Sequence, residues 1–508
     1  MIRIFAVLII TICLSISFMS CKKDKLLTDP SATVAFSQDS ILFDTVFTTI
    51  GSATRNIRVI NRNNQKINIS SIRLEKGQAS NFFLNVDGTP GKAVNDVEIL
   101  ANDSIYIFVQ VNVNPTSVLS PLIIQDKILF DINGNQQSVA LEAWGQDAHY
   151  HFPNTAIQYK NGYLPYSTVS YSISPSGTPV SITNTTVTWG GGALGQPDDN
   201  RPHVVYGWLV VDSTQKLVIN AGVKVYFHQN AGLWVYRYGT LQVNGAVNNE
   251  VTFQGDRREA DYADMPGQWD RIWINEGHTD NYINYAIIKN NFIGIQASIL
   301  ASASQPQKLK ITNTIIKNCS KWGLYTQFFT VWAANNVIVN CKEYCAALSW
   351  GGNYTFIHNT FANYYNQDGG RGEQPCVHID NYDGTDEIPY DSIYFANNII
   401  DGTKSGELEM DIRSFSGIGP SNVCKLNNNL IKGSVPTNTL ITSLNNVFNG
   451  DAKFDNPGGY NFKLKPFSSA FQIGEFTIVQ QYNTILGTDI TGTVMRTSSG
   501  NISAGAYQ

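Results

Sequence analysis

Ile315-Ile316-Lys317-Asn318, Val337-Ile338-Val339-Asn340 and Thr360-Phe361-Ala362-Asn363 are three versions of one short phrase, in which bulky residues lead to an asparagine. Ile287-Ile288-Lys289-Asn290 precedes them, and Ile399-Ile400-Asp401-Gly402 and Leu430-Ile431-Lys432-Gly433 follow. Their last positions step by 28, 22, 23, 39 and 31 residues. A unit near 22 residues, lengthened by loops in some turns, is the period of a β-solenoid coil. Asparagine tolerates left-handed backbone at a tight corner, and amides stacked along the axis can hydrogen-bond to one another. Leucine-rich repeats share the period but require a leucine spacing that is absent. The prediction is an all-β chain whose residues 201–508 form a parallel β-helix.

Upstream the period changes. Ile105, Ile107, Val109, Val111 and Val113 alternate with Tyr106, Phe108, Gln110 and Asn112. Ile128, Phe130 and Ile132 keep the same rule, as do Val139, Leu141 and Ala143. Strict alternation marks half-buried strands, and turn pairs such as Asn133-Gly134 mark hairpins. Residues 34–146 are therefore expected to form a β-sandwich, with 147–200 as a linker and first coil.

The first residues read as a targeting segment. Arg3 precedes a mostly apolar run from Ile4 to Ile16, too short to span a bilayer and suited to a signal-peptide core. The run ends at Ser17-Phe18-Met19-Ser20-Cys21, which resembles a bacterial lipobox. That resemblance implies removal of residues 1–20, lipidation of Cys21 and a membrane partner reached through the lipid anchor. An ordinary secretory signal with a chance cysteine is the alternative. Lys22-Lys23-Asp24-Lys25 opens a polar tether over 21–33. The lack of an aspartate directly after Cys21 resembles lipoproteins sent to the outer membrane or cell surface.

The formal net charge is −5, with no basic block, which argues against nucleic acid as a partner. Cys319, Cys341, Cys345, Cys376 and Cys424 remain beyond Cys21, an odd number with no C-x-x-C pair, so no zinc site is implied. Cys319 and Cys341 follow equivalent asparagines and are expected to stack as buried thiols.

Two family resemblances enter here. The order LFDTVFTTIGSATRNIRVINRN, NDSIYIFVQVNVNP, VALEAWG is similar to Hydin-like immunoglobulin modules, which act as spacers or docking units. The stretch KLVINAGVKVYFHQNAGLWVYRYGTLQVNGAVNNEVTFQGDR, then GQWDRIWIN and INYAIIKNNFIGI, resembles right-handed parallel β-helix lipoproteins of the pectin-lyase-like superfamily. The end, YNFKLKPFSSAFQIG, DITGTVMR and AGAY, resembles the closing module of such helices. Gln472 and Ala504 stand where that module usually carries acids, which argues against an ion site there. The resemblance covers roughly residues 200–508 and implies architecture more than activity.

Catalytic signatures are scarce. The paired-acid and Gly-His-Gly clusters of polygalacturonase-type enzymes are absent; Gly277-His278-Thr279-Asp280 comes nearest. Nucleophile elbows, phosphate loops and zinc-protease motifs are absent as well.

One constellation remains. If Val377-His378-Ile379-Asp380 and Leu408-Glu409-Met410-Asp411-Ile412 lie on adjacent coils, their apolar members face inward. His378, Asp380, Glu409 and Asp411 then face out, and if the register aligns Val377 with Leu408, His378 lies over Glu409 and Asp380 over Asp411, about 4.8 Å apart. Acids that close raise one pKa or recruit a cation, so the expectation is acid–base chemistry or a calcium site. No cofactor is certain, and calcium is a candidate. Arg413 lies on the same face and would neutralise a substrate carboxylate. The insertion from Gln367 to Tyr390, with Asp368, Arg371, Glu373, Asp383, Asp386 and Glu387, would wall a groove. Solvated side chains on an exposed sheet would give the same pattern.

A second candidate is aromatic. In Gln268-Trp269-Asp270-Arg271-Ile272-Trp273-Ile274, inward Ile272 and Ile274 place Trp269, Arg271 and Trp273 on the outer face, where indoles stack on sugars. Trp322, Trp332, Trp350 and Tyr354 would extend that surface; packing under a loop is the alternative. The leading expectation is a cell-envelope lipoprotein whose β-helix binds extended polysaccharide. A polysaccharide lyase or glycoside hydrolase working in the same groove, and a non-catalytic adhesin or scaffold, remain alternatives.

Overall fold

A computed structural model describes residues 25–508 apart from 49–50, 115–121, 160–161, 175, 182–184, 195, 197, 278–279, 300–306, 368, 384–385, 389, 413–423, 435–439 and 497–501. The signal segment, Cys21 and Arg413 therefore lie outside the described residues. The chain divides between Gln146 and Asp147 into two compact units.

The first unit is a sandwich of two five-stranded sheets. Ala35–Phe36, Arg55–Ile60, Ser104–Val111, Phe82–Val86 and Thr89–Gly91 make one sheet in that order. Ser40–Phe47, Asn135–Gln146, Leu122–Ile132, Ile67–Leu74 and Ala93–Ile99 make the other. The alternation decides the faces: Ile107, Val109 and Val111 are fully buried, while Tyr106 and Phe108 are exposed. Asn133 and Gly134 have φ of 47° and 86°, so this pair turns the hairpin between Leu122–Ile132 and Asn135–Gln146.

The second unit is a parallel β-helix with three faces. On the first face, Leu209, Leu233, Ile272, Ile295, Leu324, Ala346, Val377 and Leu408 pair in register from coil to coil. Ile219, Val243, Ile283, Ile311, Ala333, Phe356, Phe395 and Leu426 do so on the second. Val225, Phe253, Ile288, Ile316, Ile338, Phe361, Ile400 and Ile431 do so on the third. These ladders point inward and meet in one continuous core. Residues 147–200 contribute to this unit: His149–His151 pairs with His203–Val205, and Thr186–Trp189 pairs with Lys216–Asn220.

Both asparagine corners are left-handed. Asn290, Asn318 and Asn340, which end strands of the third face, have φ between 55° and 65°. The tighter network lies at the opposite corner, between the second and third faces. There Asn313, Asn335, His358, Asn397, Asn428 and Asn445 take positive φ. The residues after them form a ladder: the Oδ1 of Asn336 accepts from Thr314 N, and that of Asn359 from Asn336 N and Nδ2. Asn398, Asn429 and Asn446 continue it. Each amide also donates inward to a carbonyl, as Asn359 does to Ala333. A corner that would strand several polar groups per coil is thus satisfied.

Some strands bend from the first face onto the second. Trp322–Ala334 does so at Phe328 and Ala346–Ile357 at Trp350 to Gly352, all with positive φ. At Gly352, with φ of 113°, a side chain would strike the carbonyl oxygen of Phe329 at 2.4 Å.

The C-terminal segment folds back along the second asparagine corner. Arg496 is buried and donates to Asn335 Oδ1 at 2.7 Å and to the carbonyls of Thr488, Gly505 and Ala506. His358 Nδ1 meets Gly505 O, Asn397 Nδ2 meets Glu475 O and Asn428 Nδ2 meets Ile473 O. The motif DITGTVMR…AGAY is therefore a fastening built on Arg496.

Among the described residues no helix is long and apolar enough to cross a membrane. Cys319, Cys341, Cys345, Cys376 and Cys424 are all free and buried, and Cys319 aligns with Cys341 across adjacent coils.

Candidate functional site

The first face brings the predicted quartet together. Val377–Asp380 and Leu408–Asp411 are neighbouring strands in the register His378 with Glu409 and Asp380 with Asp411. Val377 and Ile379 are buried inside, which forces His378 and Asp380 outward.

His378 bridges two acids. Its Nδ1 meets Glu409 Oε2 and its Nε2 meets Asp380 Oδ2, both at 2.8 Å. Burial would lower the imidazole's pKa, but its bonds to Asp380 and Glu409 outweigh that and hold it above its ordinary value. With both nitrogens facing carboxylates, the protonated ring donates twice. Asp380 is only 20% exposed, and its second oxygen, Oδ1, is buried with no hydrogen-bond partner among the described residues. Glu409 is open to solvent, at 56%. Asp411 accepts from the Tyr382 hydroxyl at 2.6 Å. The Tyr390 hydroxyl donates to the carbonyl oxygen of Leu348 at 2.7 Å and also contacts that of Asp380, fixing the strand's far end.

Of the oxygens that a calcium ion would take, one of Asp380 and one of Glu409 are turned onto His378, and Asp411 is bonded to Tyr382. Among the described residues no group of three or more histidines, cysteines or acids is placed to hold a metal ion. The charge of His378, in place of a cation, offsets the crowding of acids.

Aromatic rings run along the face toward His378. Tyr344 stacks on it with centroids 5.1 Å apart, Trp322 lies 6.3 Å from Tyr344, and Tyr325 lies 4.4 Å from Trp322. All three are half-buried. The Trp322 indole nitrogen donates to Glu343 at 2.7 Å, and Lys321 sits over its ring. Trp322 was expected in such a surface. Tyr325 was legible as the outward residue between Leu324 and Thr326, whereas Tyr344 precedes its strand and carries no periodic signal.

The indoles proposed as a sugar surface lie elsewhere. Trp269 is inside the core, stacked on Phe227 at 4.3 Å, because the strand begins only at Ile272 and alternation does not reach back to it. Trp273 faces outward yet is 6% exposed, stacked on Trp234 at 4.9 Å and edged by Tyr159. It lies in a buried group with Trp208 and Trp234, against which Leu164 and Tyr166 also pack. Arg271 is half-buried, paired with Asp270 and Gln296. Tyr354 is fully buried, and Trp332 packs against Tyr482 of the C-terminal segment.

The insertion behaves differently from a groove wall at one point. Arg371 is 3% exposed and forms a two-pronged pair with Glu407, at 2.6 and 2.5 Å. Glu407 also accepts from Cys376 N and Lys404 N, so the pair pins the loop's base. Glu373 pairs with Lys404 at the surface. Asp368, His278, Thr279 and the side chains of Asp383, Asp386 and Glu387 lie outside the described residues.

No known family and no curated protein matches the chain. Among solved structures it is similar to the ASH/PapD-like domain 7 of human CEP192, at 9% identity and a TM-score of 0.16, over 25% of this chain and 94% of that one. It is also similar to a family 123 glycoside hydrolase from Clostridium perfringens, at 12% identity and a TM-score of 0.15, over 21% of this chain and 22% of that one. What characterises the chain is its own architecture: a mainly antiparallel β-sandwich followed by a parallel β-helix with an aromatic and acidic face.

Proposed function

We propose that this chain is a lipoprotein of the cell envelope, anchored to the outer membrane or cell surface through Cys21, whose β-helix binds extended polysaccharide. In this reading the sandwich is a Hydin-like spacer and the solenoid a pectin-lyase-like β-helix. The observation that carries it is the row Trp322, Tyr325, Tyr344 leading to His378, Asp380 and Glu409. Flat rings take the C–H faces of sugars, and charged groups beside them take hydroxyls. Successive coils repeat every ~4.8 Å, so a linear polymer meets a linear surface. Affinity electrophoresis of the chain lacking residues 1–21 through immobilised polysaccharides tests this. A retarded band that runs free after Tyr344→Ala supports it, and free migration through every matrix would remove it.

A second reading, catalysis in the same groove by a lyase or glycoside hydrolase, is favoured by His378 between its two acids. In this reading the imidazolium supplies a proton and Asp380 or Asp411 removes one. New reducing ends or unsaturated products that vanish in Asp380→Asn and Asp411→Asn would establish it. Lipidation is read separately: Cys21→Ala should move the chain from the membrane fraction to the soluble one.

A further inference from the structure

The third face carries a basic pocket that takes no part in the groove described above. It has a volume of about 440 Å³, and Lys224, Arg258, Lys289, Lys317, Tyr226 and Tyr460 are the side chains that give it character. The cations come from distant parts of the sequence. Lys289 and Lys317 are register partners on adjacent coils, so two ammonium groups of like charge are stacked. Such a pair is unfavourable unless an anion lies between or beside them.

Within the protein, Asp264 supplies one negative charge beside that pair. Lys317 reaches Asp264 at 3.4 Å, while Lys289 donates to the carbonyl of Ala263 at 3.0 Å. Lys224 makes no ion pair among the described residues. Burial, followed by the charge of Lys317, holds Lys289 below the ordinary lysine value.

The walls and floor suit a sugar. Arg258 lies over the Tyr226 ring at 5.2 Å, and Lys317 lies over the Tyr460 ring at 3.9 Å. Between them the floor is Thr252, Gln254, Ile287 and Ile315, a mixed surface with two β-branched apolar side chains. The rows Lys224–Thr252–Ile287–Ile315 and Lys289–Lys317 follow the solenoid axis. Three coil steps make ~14 Å, longer than one inorganic anion and comparable to a short saccharide.

We infer that this pocket binds an acidic saccharide, its carboxylate or sulfate groups set between Lys289, Lys317, Lys224 and Arg258 and a ring face against Tyr460. The inference rests on the glycan-binding reading and adds the charge of the ligand and a second face on which it is held. The cations come from different coils, and only the stacking of coils gathers them.

Isothermal titration of the chain lacking residues 1–21 tests this with four probes. They are a chondroitin sulfate hexasaccharide, its desulfated and carboxyl-reduced form, inorganic sulfate and a single-stranded DNA dodecamer. The expected result is binding of the acidic hexasaccharide that weakens at least tenfold in Lys289→Gln/Lys317→Gln, and weakens with added salt. Lys127→Gln, on the sandwich strand Leu122–Ile132, should leave it unchanged. Equal binding of the neutral hexasaccharide, or loss in Tyr344→Ala but not in Lys289→Gln/Lys317→Gln, would overturn this inference while leaving the glycan reading intact. Absence of binding to either hexasaccharide would remove this pocket's ligand, and the electrophoresis above then decides the broader reading separately. Sulfate binding as tightly as the hexasaccharide would reduce the pocket to an anion site, and tighter binding of the dodecamer would replace the saccharide with nucleic acid.

Discussion

Asn359 and Asn398 stand one coil apart, and the side-chain oxygen of Asn398 accepts from both nitrogens of Asn359, at 2.8 Å from the main chain and 3.0 Å from the amide. Asn398 Nδ2 meanwhile donates to the Phe356 carbonyl at 2.9 Å. Asn398→Ala strands several buried polar groups at once, and each stranded group costs about 1–3 kcal/mol. The β-helix transition in urea should lose about 3 kcal/mol or more, read by a probe such as the buried indoles. An effect below about 1 kcal/mol would mean that water replaces the amide at this corner.

The titration of His378 follows from its two acids. Its folded pKa is raised, so the stability it contributes is full below its ordinary value of 6.5 and is lost as pH rises through the raised value. The imidazole resonances should titrate above 6.5, and Glu409→Gln should move the midpoint down. A midpoint unchanged by Glu409→Gln would show that Asp380 alone sets the charge.

Three other histidines give the opposite sign. His151 and His203 meet at 3.0 Å in the first coils, and His358 lies under the C-terminal segment. Burial pushes the His151 pKa down to about 3, and those of His203 and His358 well below 6.5. Their folded values lie below the unfolded one, so stability is full above 6.5 and falls as pH drops toward the folded values. The thermal midpoint should decline from neutral pH to about pH 4, and His358→Gln should flatten part of that decline.

Trp273 separates packing from recognition. Its indole is stacked on Trp234 and bonded to Ser298 at 3.0 Å, so Trp273→Ala should cost about 3–5 kcal/mol of stability. The folded fraction should keep its retention on polysaccharide. Tyr344→Ala should do the reverse, lowering retention with a stability change under about 1 kcal/mol.

Much of the fold was legible because a solenoid writes its period into the chain. Apolar alternation decided which side chains of these two strands face out, while the alignment of Val377 with Leu408 across a long loop was an assumption that the observed register matches. The indoles were misjudged for two separate reasons. Trp269 lies outside the strand, where the period of two has no force, and Trp273 is covered by a segment far away in sequence. The main asparagine ladder had a readable sign in Asn335-Asn336, Asn397-Asn398, Asn428-Asn429 and Asn445-Asn446, each leading into a strand. Charge alone does not tell a surface arginine that walls a groove from one buried against an acid, as Arg371 is against Glu407.

The returning C-terminal segment has a mechanical consequence. A stack in which every layer touches only its neighbours can peel from an end, one layer after another. Here Asn335, His358, Asn397 and Asn428, on four successive layers, are tied to one and the same strap. Pulled by its ends, such a body would hold until the strap tore loose. The force trace would then show one large rupture ahead of a train of smaller ones.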